Sequence, residues 1–312
     1  MSTGTVIALD AGQTGVKAHV TAHGVVRDQT LPGVRTDRPL VPQIAEIARA
    51  LTPDDEPLVA LAVGVSGLTQ LEADASPLQR ALGGHARVVL AHDSVTAYLG
   101  ALGERRGAVV ASGTGVVTLA VGRTKVSRVD GWGNIMGDAG SAYWIGREGL
   151  DAAMRAFDGR STPTVLTDLL RERWPDPSQA YTQLQADPDR VRLVAGFAEA
   201  VTDAAADDTV AARICLAAAR ELAHSATAAL GNVAEPGDDA MRAVSAIGGV
   251  FRSALILRRF TELVGEARPA IELCAPAGDG RDGAVALLGL GRGHPLYAHV
   301  SVAETPAAER TA

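Results

Sequence analysis

One layout of short strands and glycine turns occurs twice in this chain, about a hundred residues apart. The first copy runs from Thr5 (TVIALDAGQTGVKAHVTAHGVVRDQTL) and predicts three strands joined by tight turns. The second copy runs from Gly107 (GAVVASGTGVVTLAVGRTKVSRVDGW) and predicts the same order of strands. Further strands and helices follow each copy. A repeat of this kind predicts an α/β protein of two lobes, with the cleft between them as the default ligand site.

Composition excludes several classes of partner. The 312 residues are 47% hydrophobic and 21% charged, and the net charge of −7 is interspersed, so no basic stripe favours nucleic acid. No apolar run is long enough for a signal peptide or a membrane span. The two cysteines are distant and predict reduced core residues, which favours the cytoplasm. None of the seven histidines has metal-ligand spacing, and His92 is expected to point away from Asp93. We also expect a homodimer.

The first copy contains a candidate phosphate-binding turn, IALDAGQTGVK. Asp10 ends a buried strand and can hold a hydrated Mg²⁺, while the turn that follows offers backbone N–H groups, the Thr14 hydroxyl and Lys17 to an oxyanion. A plain β-hairpin explains the same letters. A Walker A loop or a Rossmann fingerprint would open a helix, and here a second strand follows. The second copy repeats the turn as SGTG, so two turns could grip a phosphate chain.

Asp93 stands between a predicted strand and a predicted helix, in the sequence VVLAHDSVTAYLGAL. It is either the N-cap of that helix or an ionised carboxylate suited to orienting a hydroxyl in phosphoryl transfer. The later turn AIGGV, with Gly248 and Gly249, either lets a flat base lie against the backbone or is a tight strand–helix turn.

The stretch GWGNIMGDAGSAYWIG, from Gly131, contains five glycines, two of the three tryptophans and one carboxylate, Asp138. Glycines are chosen where φ is positive or where another group approaches the backbone closely. Asp138 is therefore either an acceptor for a ligand hydroxyl or the N-cap of a helix beginning near Ala139.

These motifs, in this order, resemble the actin-like ATPase and sugar kinase superfamily. Within it they are most similar to the N-acetylglucosamine kinases, grouped with the BadF/BadG/BcrA/BcrD-type ATPases, and the stretch from Gly131 is very similar to their loop pattern GWGxxxGDEGSxYWI. The resemblance implies a ribonuclease-H-like fold duplicated into two lobes. It implies ATP and Mg²⁺ as cofactors and transfer of the γ-phosphate to the 6-hydroxyl of an amino sugar, with N-acetylglucosamine or glucosamine as first choices. The expected domains are an N-terminal lobe at 1–105, a C-terminal lobe with a helical insertion at 106–295, whose last helix can pack back on the first lobe, and a frayed tail at 296–312.

The resemblance also implies roles for individual residues. Asp93 would be the catalytic base and Asp10 the metal residue. The implied ATP contacts are Gly12, Gln13, Thr14, Lys17, Thr114, Gly248 and Gly249. The implied sugar contacts are Thr36, Asp37, Asp93, Gly113, Gly115, Trp132, Gly133 and Asp138.

Two departures from the family pattern leave the identity of the sugar open. Ala139 replaces the glutamate of GDEGS, and the segment around Arg35 replaces a Ser-Thr-Asn-like sequence. Two other classes also stay open at this point. One is an ATPase that activates a partner enzyme, and the other is a sugar sensor on the same fold.

Overall fold

The computed structural model describes residues 4–35, 37–69, 73–237 and 242–305. The strands of these ranges are β1 (Thr5–Ala11), β2 (Val16–Ala22), β3 (Val25–Leu31), β4 (Leu58–Val65), β5 (Arg87–His92), β6 (Gly107–Ser112), β7 (Val116–Val121), β8 (Val126–Val129), β9 (Arg242–Ile247), β10 (Ile271–Leu273) and β11 (Val300–Ala303). The helices are α1 (Leu40–Leu51), α2 (Ser76–Ala81), α3 (Asp93–Leu102), α4 (Ala142–Phe157), α5 (Leu166–Arg173), α6 (Pro177–Ala186), α7 (Arg190–Ala204), α8 (Thr209–Asn232), α9 (Ala254–Ala267) and α10 (Gly280–Leu287). Short 3₁₀ turns cover Gly249–Arg252 and Pro295–His299.

The chain divides into two compact units. The first unit comprises residues 1–106, 121–126 and 275–312, and the second comprises 107–120 and 127–274. Helix α10 groups with the first unit, and α5 and α6 belong to the second. The domain boundaries predicted after residues 105 and 295 stay predictions.

The first unit is built on a six-stranded sheet in the order β11-β5-β4-β1-β2-β3. Strands β1, β4 and β5 run parallel, whereas β2, β3 and β11 are added antiparallel. The parallel strands read as continuous apolar runs because both of their faces are buried. Ala11 pairs with Val65, and Val65 pairs with His92, so the carboxyl ends of all three strands meet at one edge of the sheet.

Helices α3 and α10 pack together without room for side chains at their crossing. A Cβ atom on Gly100 would lie 1.9 Å from the carbonyl oxygen of Asp279, and one on Gly283 would lie 1.7 Å from that of Thr96. Real Cβ atoms do not approach so closely, so glycine is required at both positions. This packing fixes the amino end of α10 beside the carboxyl edge of the first sheet.

The end of the described chain is more ordered than its sequence predicts. Strand β11 falls in the tail expected to be frayed, yet it pairs antiparallel with β5, with Val300 opposite Ala91. Ala303 is buried, and the Ser301 hydroxyl accepts a hydrogen bond from the Ala75 N–H at 2.9 Å. The expectation of fraying is therefore wrong for Val300–Ala303, because an open sheet edge supplies hydrogen bonds to a short alternating segment. The last residues, 306–312, lie outside the described ranges.

The second unit is built on a five-stranded sheet in the order β10-β9-β6-β7-β8. Strand β9 runs parallel to both β6 and β10. The hydrophobic core of the second unit is formed between this sheet and mainly α4, α7, α8 and α9. Helix α8 is capped by Asp208, which accepts hydrogen bonds from the N–H groups of Val210 and Ala211. The predicted α/β class is confirmed. No helix of the described ranges is long and apolar enough to cross a membrane.

Candidate functional site

Asp93 lies at the carboxyl edge of the first sheet, as the first residue of α3. The N-cap of that helix is His92, whose Nδ1 atom accepts a hydrogen bond from the Ser94 N–H at 3.1 Å. The interpretation of Asp93 as the N-cap is therefore wrong. Its carboxylate lies in the first turn, at the carboxyl ends of parallel strands, which is where ligands bind in open α/β sheets.

The surroundings of Asp93 keep its carboxylate ionised. Burial alone would raise the pKa, but the adjacent His92 side chain and the Ser66 hydroxyl outweigh burial and hold the pKa below its usual value. The distance between His92 Nδ1 and Asp93 Oδ1 is 2.8 Å. The expectation that His92 points away is wrong, because the strand ends at His92 and its alternation does not continue into the helix.

Asp10, one residue before the end of β1, lies near this carboxylate, and its pKa is shifted in the opposite direction. Burial, and then the negative charge of Asp93, raise its pKa to about 6, although Lys17 opposes the shift. Lys17 is the residue opposite Asp10 in the pairing of β1 with β2. The protein therefore pushes the pKa values of two neighbouring carboxyl groups apart, a pattern that is common in functional sites.

A third carboxylate, Asp279, was not predicted from the sequence. It caps α10, and its Oδ2 atom lies 2.9 Å from Nζ of Lys17. The next residue, Gly280, lies against Asp10, since a Cβ atom there would be 2.4 Å from Asp10 Oδ2. Three carboxylates and one ammonium group thus occupy the same edge of the first unit.

The carboxylate oxygens of this edge are ligands of the type that Mg²⁺ prefers. Among the described residues, no group of three or more His, Cys, Asp or Glu side chains could hold a metal ion. Mg²⁺ in phosphate sites commonly takes one or two carboxylates and keeps several waters, and this edge offers carboxylates for such an ion.

The predicted phosphate turn is a tight connection between β1 and β2. The N–H of Gly12 donates to the carbonyl of Gly15 at 3.1 Å, which leaves Gln13 and Thr14 exposed at the tip.

Asp37, predicted to contact sugar, is exposed and accepts two hydrogen bonds from the Arg35 guanidinium, at 2.9 and 2.6 Å, which lower the pKa of Asp37. Thr36 lies outside the described residues.

The corresponding turn of the second unit joins β6 to β7 and is fixed to α4. The Gly113 N–H donates to the Gly115 carbonyl at 2.9 Å. The carbonyls of Gly113 and Thr114 accept hydrogen bonds from Ala142 and Tyr143, at 2.8 and 3.1 Å. Helix α4 thereby gives its first N–H groups to the turn, and a Cβ atom on Gly113 would meet no neighbouring atom.

Gly248 follows β9 and packs against the end of β6. Its φ is +101°, and a Cβ atom there would lie 2.2 Å from the carbonyl oxygen of Ser112. Gly249 has open space where a Cβ atom would stand. The AIGGV turn, whose glycines are implied ATP contacts, therefore contains one glycine required by packing and one that leaves its backbone accessible.

The tryptophan loop is organised by Asp130, which the sequence reasoning missed. Its carboxylate accepts hydrogen bonds from the N–H groups of Gly131 at 2.8 Å, Asp138 at 2.8 Å and Ala139 at 3.2 Å, and so joins both ends of the loop. Trp132 is 62% exposed, with the Arg128 guanidinium 5.3 Å from its ring centroid. The loop thus presents an aromatic face to solvent from a fixed base.

Asp138 is buried in the same loop, with a φ of +60°. Burial and the nearby Asp130 raise its pKa, while hydrogen bonds from the N–H groups of Val116 and Gly133 oppose the shift. Helix α4 begins at Ala142, and its N-cap is Ser141. The interpretation of Asp138 as an N-cap is therefore wrong, and its carboxylate instead supports the loop and the start of β7.

The structure groups the predicted residues by unit. Asp10, Lys17 and Asp93 share one edge of the first unit, whereas the SGTG turn and the tryptophan loop adjoin in the second, where a Cβ atom on Gly115 would lie 2.7 Å from Asp138 Oδ2. Of the residues missed, Ser66 had a sequence signal, since it stands between a buried strand and a glycine.

Comparison with known proteins gives one family and several relatives. The model of the BadF/BadG/BcrA/BcrD ATPase family matches residues 7–287. An N-acetylmuramic acid/N-acetylglucosamine kinase of Clostridium acetobutylicum is 36% identical over 34% of this chain and 36% of its own length. An N-acetyl-D-glucosamine kinase of Dictyostelium discoideum is 32% identical over 42% of this chain and 43% of its own length. The chain thus spans less than half of the curated relatives it matches.

The fold is also found among solved structures. A Chromobacterium violaceum protein, provisionally assigned as an N-acetylglucosamine kinase, superposes with a TM-score of 0.69 at 22% identity, over 91% of this chain and 99% of its own. This likeness shows a shared fold.

Proposed function

We propose, because this chain belongs to the BadF/BadG/BcrA/BcrD ATPase family, that it is an ATP-dependent kinase of an amino sugar. The reaction would transfer the γ-phosphate of ATP to the 6-hydroxyl of N-acetylglucosamine or glucosamine. The curated relatives are kinases of N-acetylated amino sugars, which supports this class of acceptor. The observation that carries the proposal is Asp93, an ionised carboxylate at the carboxyl edge of parallel strands.

Asp93 would accept a hydrogen bond from the acceptor hydroxyl, orient its oxygen towards phosphorus and take up its proton as transfer proceeds. Phosphoryl transfer has a loose transition state, so orientation of the nucleophile matters more than strong basicity. A carboxylate with a lowered pKa suits this role, because it is ionised at neutral pH.

The acidic edge around Asp10 would hold Mg²⁺ through bound water. When bound, Mg²⁺ neutralises charge on the phosphate oxygens. Lys17 would contact the phosphates, and the exposed turn at Gly12, Gln13 and Thr14 would offer backbone N–H groups to them. A cation there would offset the burial and the negative charge of Asp93, which together raise the pKa of Asp10.

The second unit would supply the remaining contacts. We assign Thr114 and the backbone at Gly248 and Gly249 to ATP. We assign Trp132 and Asp138 to the sugar, together with Gly113, Gly115, Gly133 and, from the first unit, Thr36 and Asp37. An exposed tryptophan face is a common platform for the apolar face of a sugar ring.

The test is an assay of ADP release over a panel of sugars: N-acetylglucosamine, glucosamine, N-acetylmannosamine, N-acetylmuramic acid and glucose. We expect turnover with at least one amino sugar and its loss in Asp93→Asn, with ATP binding retained. Turnover of Asp93→Asn at the wild-type rate would refute the mechanism. ATP hydrolysis that no sugar stimulates would instead favour an ATPase that activates a partner.

A further inference from the structure

We propose that Asp279 is a positioning residue, which holds the ammonium group of Lys17 at the carboxyl edge of the first sheet, in place for the phosphates of ATP. This inference deepens the proposed kinase function and rests on it. It gives a role to a carboxylate that the sequence analysis did not single out, 262 positions from Lys17 in the chain.

The contact between Lys17 and Asp279 is a hydrogen-bonded ion pair. Lys17 Nζ donates to Asp279 Oδ2 at 2.9 Å. The backbone of Lys17 is fixed in β2, where it pairs with Asp10 on one side and with Thr30 on the other. The side chain of Lys17 is half exposed, so it is the part of this residue that needs ordering before it can hold a ligand.

Asp279 is itself held firmly at the amino end of α10. Its Oδ1 atom accepts hydrogen bonds from the N–H groups of Arg281 at 3.0 Å and Asp282 at 3.3 Å. The N–H of Asp279 donates to the Asp282 carboxylate at 2.8 Å, which completes a capping box. The carbonyl oxygen of Asp279 packs against Gly100 of α3. Lys17 is therefore held from a fixed point of the first unit.

Both oxygens of Asp279 are engaged, because one caps the helix and the other accepts from Lys17. This arrangement suits Asp279 to hold a cationic side chain rather than to bind a metal ion. Burial would raise the pKa of Asp279, but the hydrogen bond and charge of Lys17 and the N–H of Asp282 outweigh burial and lower the pKa. The carboxylate is therefore ionised at neutral pH and attracts the ammonium group.

Lysine suits the proposed phosphate contact, and its flexible stem makes positioning useful. Of the 29 lysine and arginine residues of the chain, only Lys17 and Lys125 are lysines. An ammonium group has three N–H donors, and Asp279 takes one of them, so two remain for phosphate oxygens. A free lysine side chain loses rotamer freedom when it binds a ligand, and a contact that has already ordered it removes part of that loss. The contribution of Asp279 should therefore appear in the affinity for ATP.

Asp279→Asn tests the proposal with little change in shape. The asparagine oxygen can still cap α10, while the NH₂ group that replaces Oδ2 cannot accept a hydrogen bond from Lys17. We expect KM for ATP to rise about three- to fivefold, with kcat and the melting temperature close to wild type. Loss of a negative charge alone would favour an anionic ligand, so an unchanged or lower KM would overturn the proposal.

A double-mutant cycle shows whether Asp279 acts through Lys17. In the Lys17→Gln background, Asp279→Asn should have no further effect on KM for ATP. An equal rise in both backgrounds would overturn the proposal.

Asp28→Asn is the matched control for the cycle. Asp28 Oδ2 lies 2.8 Å from Nη1 of Arg281 and forms a second ion pair between α10 and the β2–β3 hairpin, without contacting Lys17. This variant should keep KM for ATP within about twofold of wild type. A rise as large as that of Asp279→Asn would overturn the proposal in favour of a general effect of α10 packing.

Two further measurements do not depend on catalysis. Calorimetric titration with Mg-ATP gives the affinities of the same variants without a sugar. In protein labelled with ¹³C at Cε of lysine, the two lysines give two signals, which Lys125→Gln assigns. We expect Asp279→Asn to shift the Lys17 signal and to leave that of Lys125 in place; an unchanged Lys17 signal would overturn the proposal. If no sugar is phosphorylated, the proposed function fails, and these two measurements still report the contact of Asp279 with Lys17.

Discussion

Gly280 lies directly against the carboxylate of Asp10, because a Cβ atom on Gly280 would stand 2.4 Å from Asp10 Oδ2. These residues are 270 positions apart in the chain (280 − 10). Their contact depends on the packing of α3 on α10, which brings the amino end of α10 to the end of β1. The glycine at this position therefore shapes the candidate magnesium and phosphate edge.

Gly280→Ala should displace Asp10 and weaken ATP binding. Overpacking of this kind costs about 1–3 kcal/mol, so the melting temperature should also fall. Gly289→Ala is the matched control, because its nearest neighbour would be at an ordinary distance of 3.7 Å. Calorimetric titration with Mg-ATP measures the difference, and equal affinities in the two variants would contradict the role assigned to Gly280.

Asp10→Asn should stabilise the ligand-free protein at neutral pH. The folded pKa of Asp10, about 6, lies above its unfolded value of 3.8. The stability contributed by its proton is therefore complete below pH 3.8 and is lost as the pH rises through 6. A shift of two pKa units corresponds to at most about 3 kcal/mol of folding stability, lost when Asp10 ionises. Asparagine does not ionise, so the variant would not lose this stability. Melting curves from pH 4 to pH 8 should show the advantage of the variant growing with pH; a constant difference would contradict it.

The sequence predicted the positions of helices and strands better than it predicted which residues contact one another. The two sets of short strands and the helix that follows Asp93 were predicted from apolar runs and turn residues, which are local properties. The contact between Lys17 and Asp279 joins residues 262 positions apart, and no local pattern contains it. Partners that come together only through tertiary packing were accordingly missed, although Asp10, Lys17 and Asp93 were each found from their own motif.

The capping assignments failed for a related reason. Asp93 and Asp138 are both good N-cap residues, yet the caps are His92 and Ser141. The preference of a residue type for the N-cap does not determine where a helix begins, because the preceding strand or loop sets the first helical residue. For Asp138, the left-handed backbone and the three hydrogen bonds of Asp130 delay the helix to Ala142.

Lys17→Gln should raise KM for ATP with little effect on stability. Lys17 and Lys125 are the two lysines of the chain, and both are exposed. The ion pair of Lys17 with Asp279 is half exposed, so its loss should cost no more than about 1 kcal/mol. Steady-state kinetics with Lys125→Gln as the control would separate a phosphate contact from a general change in charge. An equal KM in both variants would remove Lys17 from the ATP site.

Asp130→Ala should loosen the tryptophan loop and weaken sugar binding more than ATP binding. Three backbone N–H groups would lose their acceptor, at a cost of about 1–3 kcal/mol. Asp130→Asn retains one acceptor oxygen and should lie between the alanine variant and wild type. The readout is KM for the sugar against KM for ATP; parallel changes in both would indicate a global loss of stability.

Trp132→Phe should abolish a fluorescence signal of sugar binding while leaving the fold intact. Trp132 is 62% exposed, whereas Trp174 is only 8% exposed, so a ligand in contact with the loop should alter the emission of Trp132 first. Titration of the wild-type protein with N-acetylglucosamine should therefore change its tryptophan fluorescence. Trp174→Phe is the control and should keep the change. A signal that survives in Trp132→Phe and disappears in Trp174→Phe would place the sugar away from the loop. That result would also contradict the sugar contacts assigned to Gly133 and Asp138.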